Sequence, residues 1–299
     1  MAVNWLRRSV LAAAGVSAAM LLAGCGSSTI ESALKPERFV AFGDGFSDVG
    51  QVGGARYTVN DGSVNNWTQQ LAAAYNITLT PVSAGGTSYA QGNARIKATP
   101  DAAGNASTPT VTQQIDQFLA SSSFKDSDVV LIGAGMGDIV AQMAAVTAGK
   151  QTPAQMLSNA QQAGRDLGEQ VIRTLSAGAK YVVVVGSYNL GRSPWAKTME
   201  QESALTQASS KFNEAFLVSI VDQGSKVLYI AAAYYLNLLT ASPGSYSFDN
   251  ATTPVCTAVD AGPGIGIGAG QLNSALCNTN TLLAGANSAK YVFADALYI

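Results

Sequence analysis

The sequence predicts an α/β protein with a doubly wound parallel β-sheet and helices on both faces, a three-layer arrangement. Short apolar runs rich in β-branched residues alternate with segments whose apolar residues recur at helical spacing. The runs are continuously apolar, as expected for parallel strands covered on both faces. Such alternation implies right-handed crossovers. With 299 residues, 47% of them hydrophobic, the chain is long enough to bury one full core.

The predicted strands and helices follow one another in the order that this fold requires. Strands are predicted at residues 38–42, 128–132, 181–185, 227–230 and 291–293, because each run is short and β-branched or aromatic. Helices are predicted from apolar spacing at residues 67–75, 111–119, 139–146, 153–175 and 201–221. Asp44, Gly135 and Asp295 each come just after a predicted strand. Ligand sites in such sheets lie beyond the carboxyl ends of the strands, so we expect these turns to meet at one site.

The turn after the first strand carries the most informative motif. Residues 38–50 read RFVAFGDGFSDVG, which resembles the first sequence block of the GDSL (SGNH) family of esterases and lipases, usually FGDSLSD. Gly45 stands at the position of the nucleophilic serine. Five residues match the block: Phe42, Gly43, Asp44, Ser47 and Asp48. The resemblance implies an SGNH-hydrolase-like fold with flavodoxin-like sheet order, and the scaffold of an ester hydrolase without its nucleophile.

Two further segments resemble the blocks that supply oxyanion donors, which ester hydrolysis needs to stabilise the tetrahedral intermediate. Residues 82–87, VSAGGT, look like the second block. The resemblance assigns its backbone N–H donor to Gly86, with Gly85 as the alternative. Residues 133–139, GAGMGDI, look like the third block, and Gly137 stands where the family has a donating asparagine.

The end of the chain resembles the last block, which supplies the general base. In residues 292–298, VFADALY, Asp295 matches the aspartate that orients the base, and Tyr298 replaces the histidine. A phenol with an ordinary pKa near ~10 is a poor general base at neutral pH. The chain contains no histidine at all, so no other imidazole can take over this role.

Three functional hypotheses follow from these substitutions. In the first, the protein has lost ester hydrolysis and keeps a cleft floored by Gly45, Gly86 and Gly137, which would bind a lipid, an acyl ester or an acetylated glycan. In the second, it is an active ester hydrolase that uses Ser47 as nucleophile, together with Asp44 or Asp48 and an unrecognised base. In the third, it is a structural envelope protein with an occluded cleft. Ser47 and its neighbouring aspartates also fit a simpler role as caps of a helix beginning there.

The first 24 residues have the pattern of an export signal. Arg7 and Arg8 precede an apolar stretch, residues 10–22, that is too short to be a typical membrane span. Residues 22–25, LAGC, resemble the bacterial lipobox, which implies acylation of Cys25 and a membrane anchor. We expect a lipoprotein signal peptide at 1–24, a polar tether at 25–36 and the SGNH-like domain at 37–299. Gly26 after the cysteine favours the outer membrane, and both general and twin-arginine export stay open.

Composition narrows the range of partners. Cleavage after residue 24 leaves 15 basic and 19 acidic side chains, a net charge of −4, which disfavours binding to nucleic acid. No transition-metal site and no cofactor are predicted, because histidine is absent and cysteine is scarce. Cys256 and Cys277 most simply form a disulfide in an oxidising compartment. They flank a glycine-rich run at 262–270, interpreted as a disulfide-bounded surface loop since no convincing strand precedes it.

Overall fold

The computed structural model describes residues 34–63 and 66–299. Within it, Pro36–Ile299 form one compact unit. The predicted signal peptide, Cys25 and most of the predicted tether lie outside the described residues. No helix in the described part of the chain has the length and apolar character needed to cross a bilayer.

A four-stranded parallel sheet lies at the centre of this unit, with the strands in the order β1-β2-β3-β4. They are β1 (Arg38–Gly43), β2 (Asp128–Gly133), β3 (Tyr181–Val185) and β4 (Val227–Ile230). Phe42, Ile132, Val184 and Tyr229 lie side by side across the sheet. The carboxyl ends of all four strands therefore open onto one edge.

An extended segment lies beside β1. It shows that the chain adds to the sheet on one side of β1 first and on the other side afterwards. The N–H of Ala41 donates to the carbonyl of Thr87 at 3.1 Å, and the N–H of Tyr89 donates to the carbonyl of Ala41 at 2.7 Å. The chain thus moves outward from β1 and then returns past it to β2, which makes β1 a topological switch point. This order confirms the predicted doubly wound, flavodoxin-like sheet.

Helices cover both faces of the sheet. On one face the ring of Phe42 lies 5.9 Å from that of Phe118, and on the other Phe39 lies 5.9 Å from Tyr75. These opposite contacts follow from the two-residue alternation of side chains along a strand. The helices of the described chain are α1 (Trp67–Ala73), α2 (Val111–Ser121), α3 (Met136–Thr147), α4 (Pro153–Ser176), α5 (Pro194–Thr198), α6 (Glu202–Ile220) and α7 (Ala232–Ala241).

The β4 side of the sheet carries an exposed apolar margin. Leu228 of the edge strand is 61% exposed, and Tyr234 and Tyr235 of α7 are 59% and 57% exposed. Leu236 is the one buried residue of α7, although eight of the ten residues of this helix are Ala, Leu or Tyr. A helix with so few polar residues has only a weak helical period, which explains why the sequence pattern did not predict it.

The predicted strand at 291–293 is wrong. Tyr291 makes only an isolated bridge to Asn250, and the N–H of Val292 donates to the carbonyl of Asn250 at 2.8 Å. The partner of this segment is an irregular loop and not β4, so no continuous ladder forms. The expectation of a helix beginning near Ser47 is also wrong, because residues 44–54 form turns and bends, and α1 begins only at Trp67.

Cys256 and Cys277 form the expected disulfide, with their Cα atoms 5.7 Å apart. Between them, β5 (Val259–Asp260) and β6 (Gln271–Leu272) pair as an antiparallel hairpin. The glycine-rich run at its tip is not simply a surface loop. Ile265 is 1% exposed, and the carbonyl of Gly264 accepts a hydrogen bond from Asn93 Nδ2 at 2.8 Å. The hairpin therefore packs against the segment that begins at Asn93.

Candidate functional site

Gly45 and Tyr298 face each other just beyond the carboxyl end of β1. A Cβ atom added to Gly45 would lie within 3.0 Å of the Tyr298 phenol, at 2.8 Å from Cζ. Tyr298 is only 2% exposed. The structure thus brings Gly45 and Tyr298 into contact. However, the phenol fills the space into which a serine side chain would extend.

Asp295 holds the turn that carries Tyr298. Its Oδ1 accepts the backbone N–H groups of Leu297 and Tyr298 at 2.7 and 2.6 Å, and its Oδ2 accepts that of Ser274 at 2.8 Å. Both carboxylate oxygens are therefore used by the backbone and not by a side-chain base. Burial raises the pKa of Asp295. The role that this geometry supports is structural.

The Tyr298 side chain is less available as a base in the protein than it would be in water, because less of it is deprotonated at neutral pH. Burial raises its pKa well above the ordinary value, and the nearby charge of Asp44 raises it further. A general base must be deprotonated at the working pH. At neutral pH Tyr298 therefore stays a neutral phenol.

Two tyrosines that the sequence did not single out pack around Tyr298 and the residue before it. The ring centroid of Tyr57 lies 4.9 Å from that of Tyr298, and a Cβ atom on Gly92 would collide with the Tyr57 phenol. The hydroxyl of Tyr188, which is 1% exposed, donates to the carbonyl of Leu297. Tyr57 lies in an irregular loop that carries no motif. For Tyr188, the position shortly after β3 is the one feature of the sequence that could have indicated a place at the site.

Gly137 lies in the first turn of α3 against the backbone of a neighbouring turn. A Cβ atom there would collide with the carbonyl oxygen of Ala94 and would lie 2.9 Å from that of Asn93. An asparagine does not fit without movement of the backbone. The groups that face this position are acceptors, and an oxyanion needs donors.

Gly85 and Gly86 do not offer free donors. The N–H of Gly86 donates to the carbonyl of Pro81 at 2.9 Å, and that of Gly85 donates to the carbonyl of Val82 at 3.0 Å. A Cβ atom on Gly86 would collide with Thr80. Both glycines therefore serve a tight turn. The predicted cleft floored by Gly45, Gly86 and Gly137 is not present, because each position is packed against other atoms.

Two buried aspartates cross-link the turn after β1 to its neighbours. Oδ2 of Asp44 accepts the N–H groups of Gly135 and Met136, both at 3.0 Å, and Oδ2 of Asp48 accepts that of Gly92 at 2.8 Å. Burial raises the pKa of Asp44 to about 7 and that of Asp48 to about 6. These acids join the turn to the start of α3 and to the turn at Gly92, so their presence does not require catalysis.

Ser47, the alternative nucleophile, is fully buried. Its hydroxyl donates to the carbonyl of Gly133 at 3.0 Å and accepts from Nε1 of Trp67 at 3.2 Å. A nucleophilic serine needs a base that takes its proton. Here the proton is directed to a backbone carbonyl, which is not a base.

An apolar pocket of about 200 Å³ lies beside the closed position. It opens at the carboxyl ends of β3 and β4, and its wall includes the chain neighbours of Gly45 and Tyr298. No lining atom that faces the cavity is polar. The lining residues are Phe46, Trp67, Val185, Tyr188, Ile230, Ala232, Tyr235, Leu236, Leu239 and Ile299. This pocket is therefore suited to hydrocarbon.

Comparison with known proteins agrees with the geometry of the sheet edge. The model of the GDSL-like lipase/acylhydrolase family matches residues 39–262, a range that includes Gly45 and Gly137 and ends before Asp295. No curated protein matches the chain. One solved crystal structure is 12% identical over an alignment that covers 67% of this chain and 84% of that chain, with a TM-score of 0.36. Since the family match spans well over half of the residues, the chain belongs to the GDSL-like lipase/acylhydrolase family.

Proposed function

We propose that this protein is a GDSL-family envelope lipoprotein that does not hydrolyse esters and binds an acyl chain. The observation that carries the first part is the closed contact between Gly45 and Tyr298. The attacking atom is absent, the base is a buried neutral phenol, and the space between them is filled. In a serine-triad enzyme, removal of the nucleophile alone costs about 10⁶ in rate. Here the base and an oxyanion donor are missing as well.

Hydrolysis of p-nitrophenyl butyrate by the purified chain is expected to be no faster than the buffer reaction. The alternative, an active hydrolase that uses Ser47, is tested in the same assay with Ser47→Ala. Turnover by the unaltered protein that disappears in Ser47→Ala would overturn the proposal. The hydrogen bonds of Ser47 to Gly133 and Trp67 favour the opposite result.

The apolar pocket supports an acyl chain as the ligand. It lies next to position 45, where members of an acylhydrolase family handle their substrates, and it offers no polar group to a glycan. Of the three ligand classes that the sequence suggests, a lipid and an acyl ester therefore fit this pocket better than an acetylated glycan. Burial of hydrocarbon contributes roughly 0.8 kcal/mol per methylene group.

Leu239→Gln is expected to weaken decanoate binding about tenfold, because it puts an amide into a pocket that has no partner for it. Trp67 lines the pocket, so quenching or enhancement of tryptophan fluorescence reports occupancy. Leu217→Gln is the matched control, since Leu217 is 45% exposed and lies outside the lining. If decanoate does not bind the unaltered protein, the purely structural role is the better hypothesis.

Export and anchoring remain part of this proposal and rest on the sequence pattern around Cys25. We expect cleavage before Cys25, acylation of its side chain and amino group, and residence in the outer membrane facing the periplasm or the surface. The mass of the mature protein measures both events. A mature form that begins elsewhere, or that carries no acyl mass, would contradict the anchor.

A further inference from the structure

A second and larger cavity lies away from the closed site. It has a volume of about 460 Å³ and is lined by the turn after β3, the start of α6, the end of α7 and the loop at Ala251. Nine of its eleven lining residues have polar or charged side chains. None of them is Gly45, Tyr298 or a residue of the apolar pocket.

Hydrogen bonds centred on the buried amide of Asn189 fix the walls of this cavity. Asn189, which is 6% exposed, accepts from Thr206 Oγ1 at 3.0 Å and donates through Nδ2 to Asn237 Oδ1 at 2.8 Å. Thr206 lies on α6 and Asn237 on α7, so one side chain joins both helices to the turn after β3. The walls are therefore organised before any ligand arrives, which lowers the cost of binding.

The same network positions a guanidinium at the cavity. Nε of Arg192 lies 3.4 Å from Asn237 Oδ1, and Arg192 makes no ion pair within 4.0 Å among the described residues. Its two terminal nitrogens carry the fork of donors that suits a carboxylate or a phosphate. Lys197 also lines the cavity and likewise has no ion pair in the described chain. One acid, Glu202, is present, so the lining has an excess of one positive charge.

We propose that this cavity binds a small polyhydroxylated anion, a sugar that carries a carboxylate or a phosphate. Arg192 and Lys197 bind the anionic group. The hydroxyl and amide side chains of the lining, among them Ser203, Thr240 and Thr252, exchange hydrogen bonds with the sugar hydroxyls. This site is independent of ester hydrolysis and of the apolar pocket.

Calorimetric titration of the full chain with D-glucuronate, glucose 6-phosphate and glucose tests the proposal. We expect both anions to bind and neutral glucose to bind at least about tenfold more weakly. Binding of only one anion supports the site and assigns the charged group. If neither anion binds, or if glucose binds as tightly as they do, the proposal is wrong.

Arg192→Gln should lower the affinity for the anions at least about tenfold without changing the unfolding temperature, because Arg192 is exposed. Arg165→Gln is the matched control. Arg165 is an exposed arginine of α4 that is hydrogen-bonded to Gln162 of its own helix. An equal loss of affinity in both variants would show that only overall charge matters and would overturn the assignment of the cavity.

Discussion

Gly45→Ser, which restores the family's nucleophile, is expected to destabilise the protein by about 2 kcal/mol and to produce no esterase activity. The added Cβ would lie within 3.0 Å of three atoms of the Tyr298 phenol. That ring is held between Tyr57 and the turn fixed by Asp295, so it has little room to move. The free energy of unfolding from denaturant titration measures the effect.

Two further variants make this result specific. Gly244→Ser is the matched control, because a Cβ atom at Gly244 meets nothing within 4 Å, and its effect should stay within about 0.5 kcal/mol. Tyr298→His shortens the side chain that faces position 45. The Gly45→Ser, Tyr298→His double variant should therefore be less destabilised than the sum of the single variants, by about 1 kcal/mol or more. Strict additivity would mean that the two side chains do not compete for one space.

Gly137→Asn is expected to have the larger effect, about 3 kcal/mol or more, because the obstructing atoms belong to the backbone. Its Cβ atom would collide with the carbonyl of Ala94. Movement of that turn is resisted by Asp138, which accepts from the N–H of Ile96 at 2.9 Å and pairs with Arg95 at 3.3 Å. Chemical denaturation, with yield of folded protein as a second readout, measures the loss.

Gly137→Ala separates a steric effect from a polar one. In an unobstructed helix, alanine is favoured over glycine by about 1 kcal/mol. At this position the Cβ atom itself collides, so alanine should destabilise the protein nearly as much as asparagine does. A stabilised Gly137→Ala variant would show that the turn at Ala94 yields easily and that the asparagine position is still open.

These expected results suggest a different interpretation of the substitutions at positions 45, 137 and 298. The sequence suggests an intact hydrolase framework from which the reactive groups have been removed at positions 45, 137 and 298. In the structure, other atoms pack against these positions. The Tyr298 phenol packs against position 45, and backbone carbonyls pack against position 137. Restoring the three family residues at once is therefore not expected to restore an enzyme.

The central sheet was predictable because its physical signal is local. Each of the four strands contains a short apolar run rich in β-branched or aromatic residues, which is the signal expected for a strand of a parallel sheet. The segment at 291–293 has the same composition but lacks a neighbouring strand, and composition carries no information on neighbours. Helix α7 was not predicted because only two of its ten residues are polar, so that its helical period is weak.

The site was predictable in its positions and not in its shape. The pairing of Gly45 with Tyr298 followed from the family motifs, and the structure places them in contact. Whether a glycine floor is open or filled depends on side chains from distant segments, such as Tyr57 and the carbonyls of the turn at Ala94. Those segments carry no motif, so only the three-dimensional arrangement reveals the closure.

The buried aspartates have a consequence for how relatives of this chain are classified. Asp44, Asp48 and Asp295 each bind backbone N–H groups that hold turns in place, whether or not a reaction occurs. Relatives of this chain can therefore lose catalytic activity while the requirements of folding retain most residues of the motif. Membership of the family then reports how the polypeptide folds, and whether it can act as a catalyst depends on the residues at positions 45, 137 and 298.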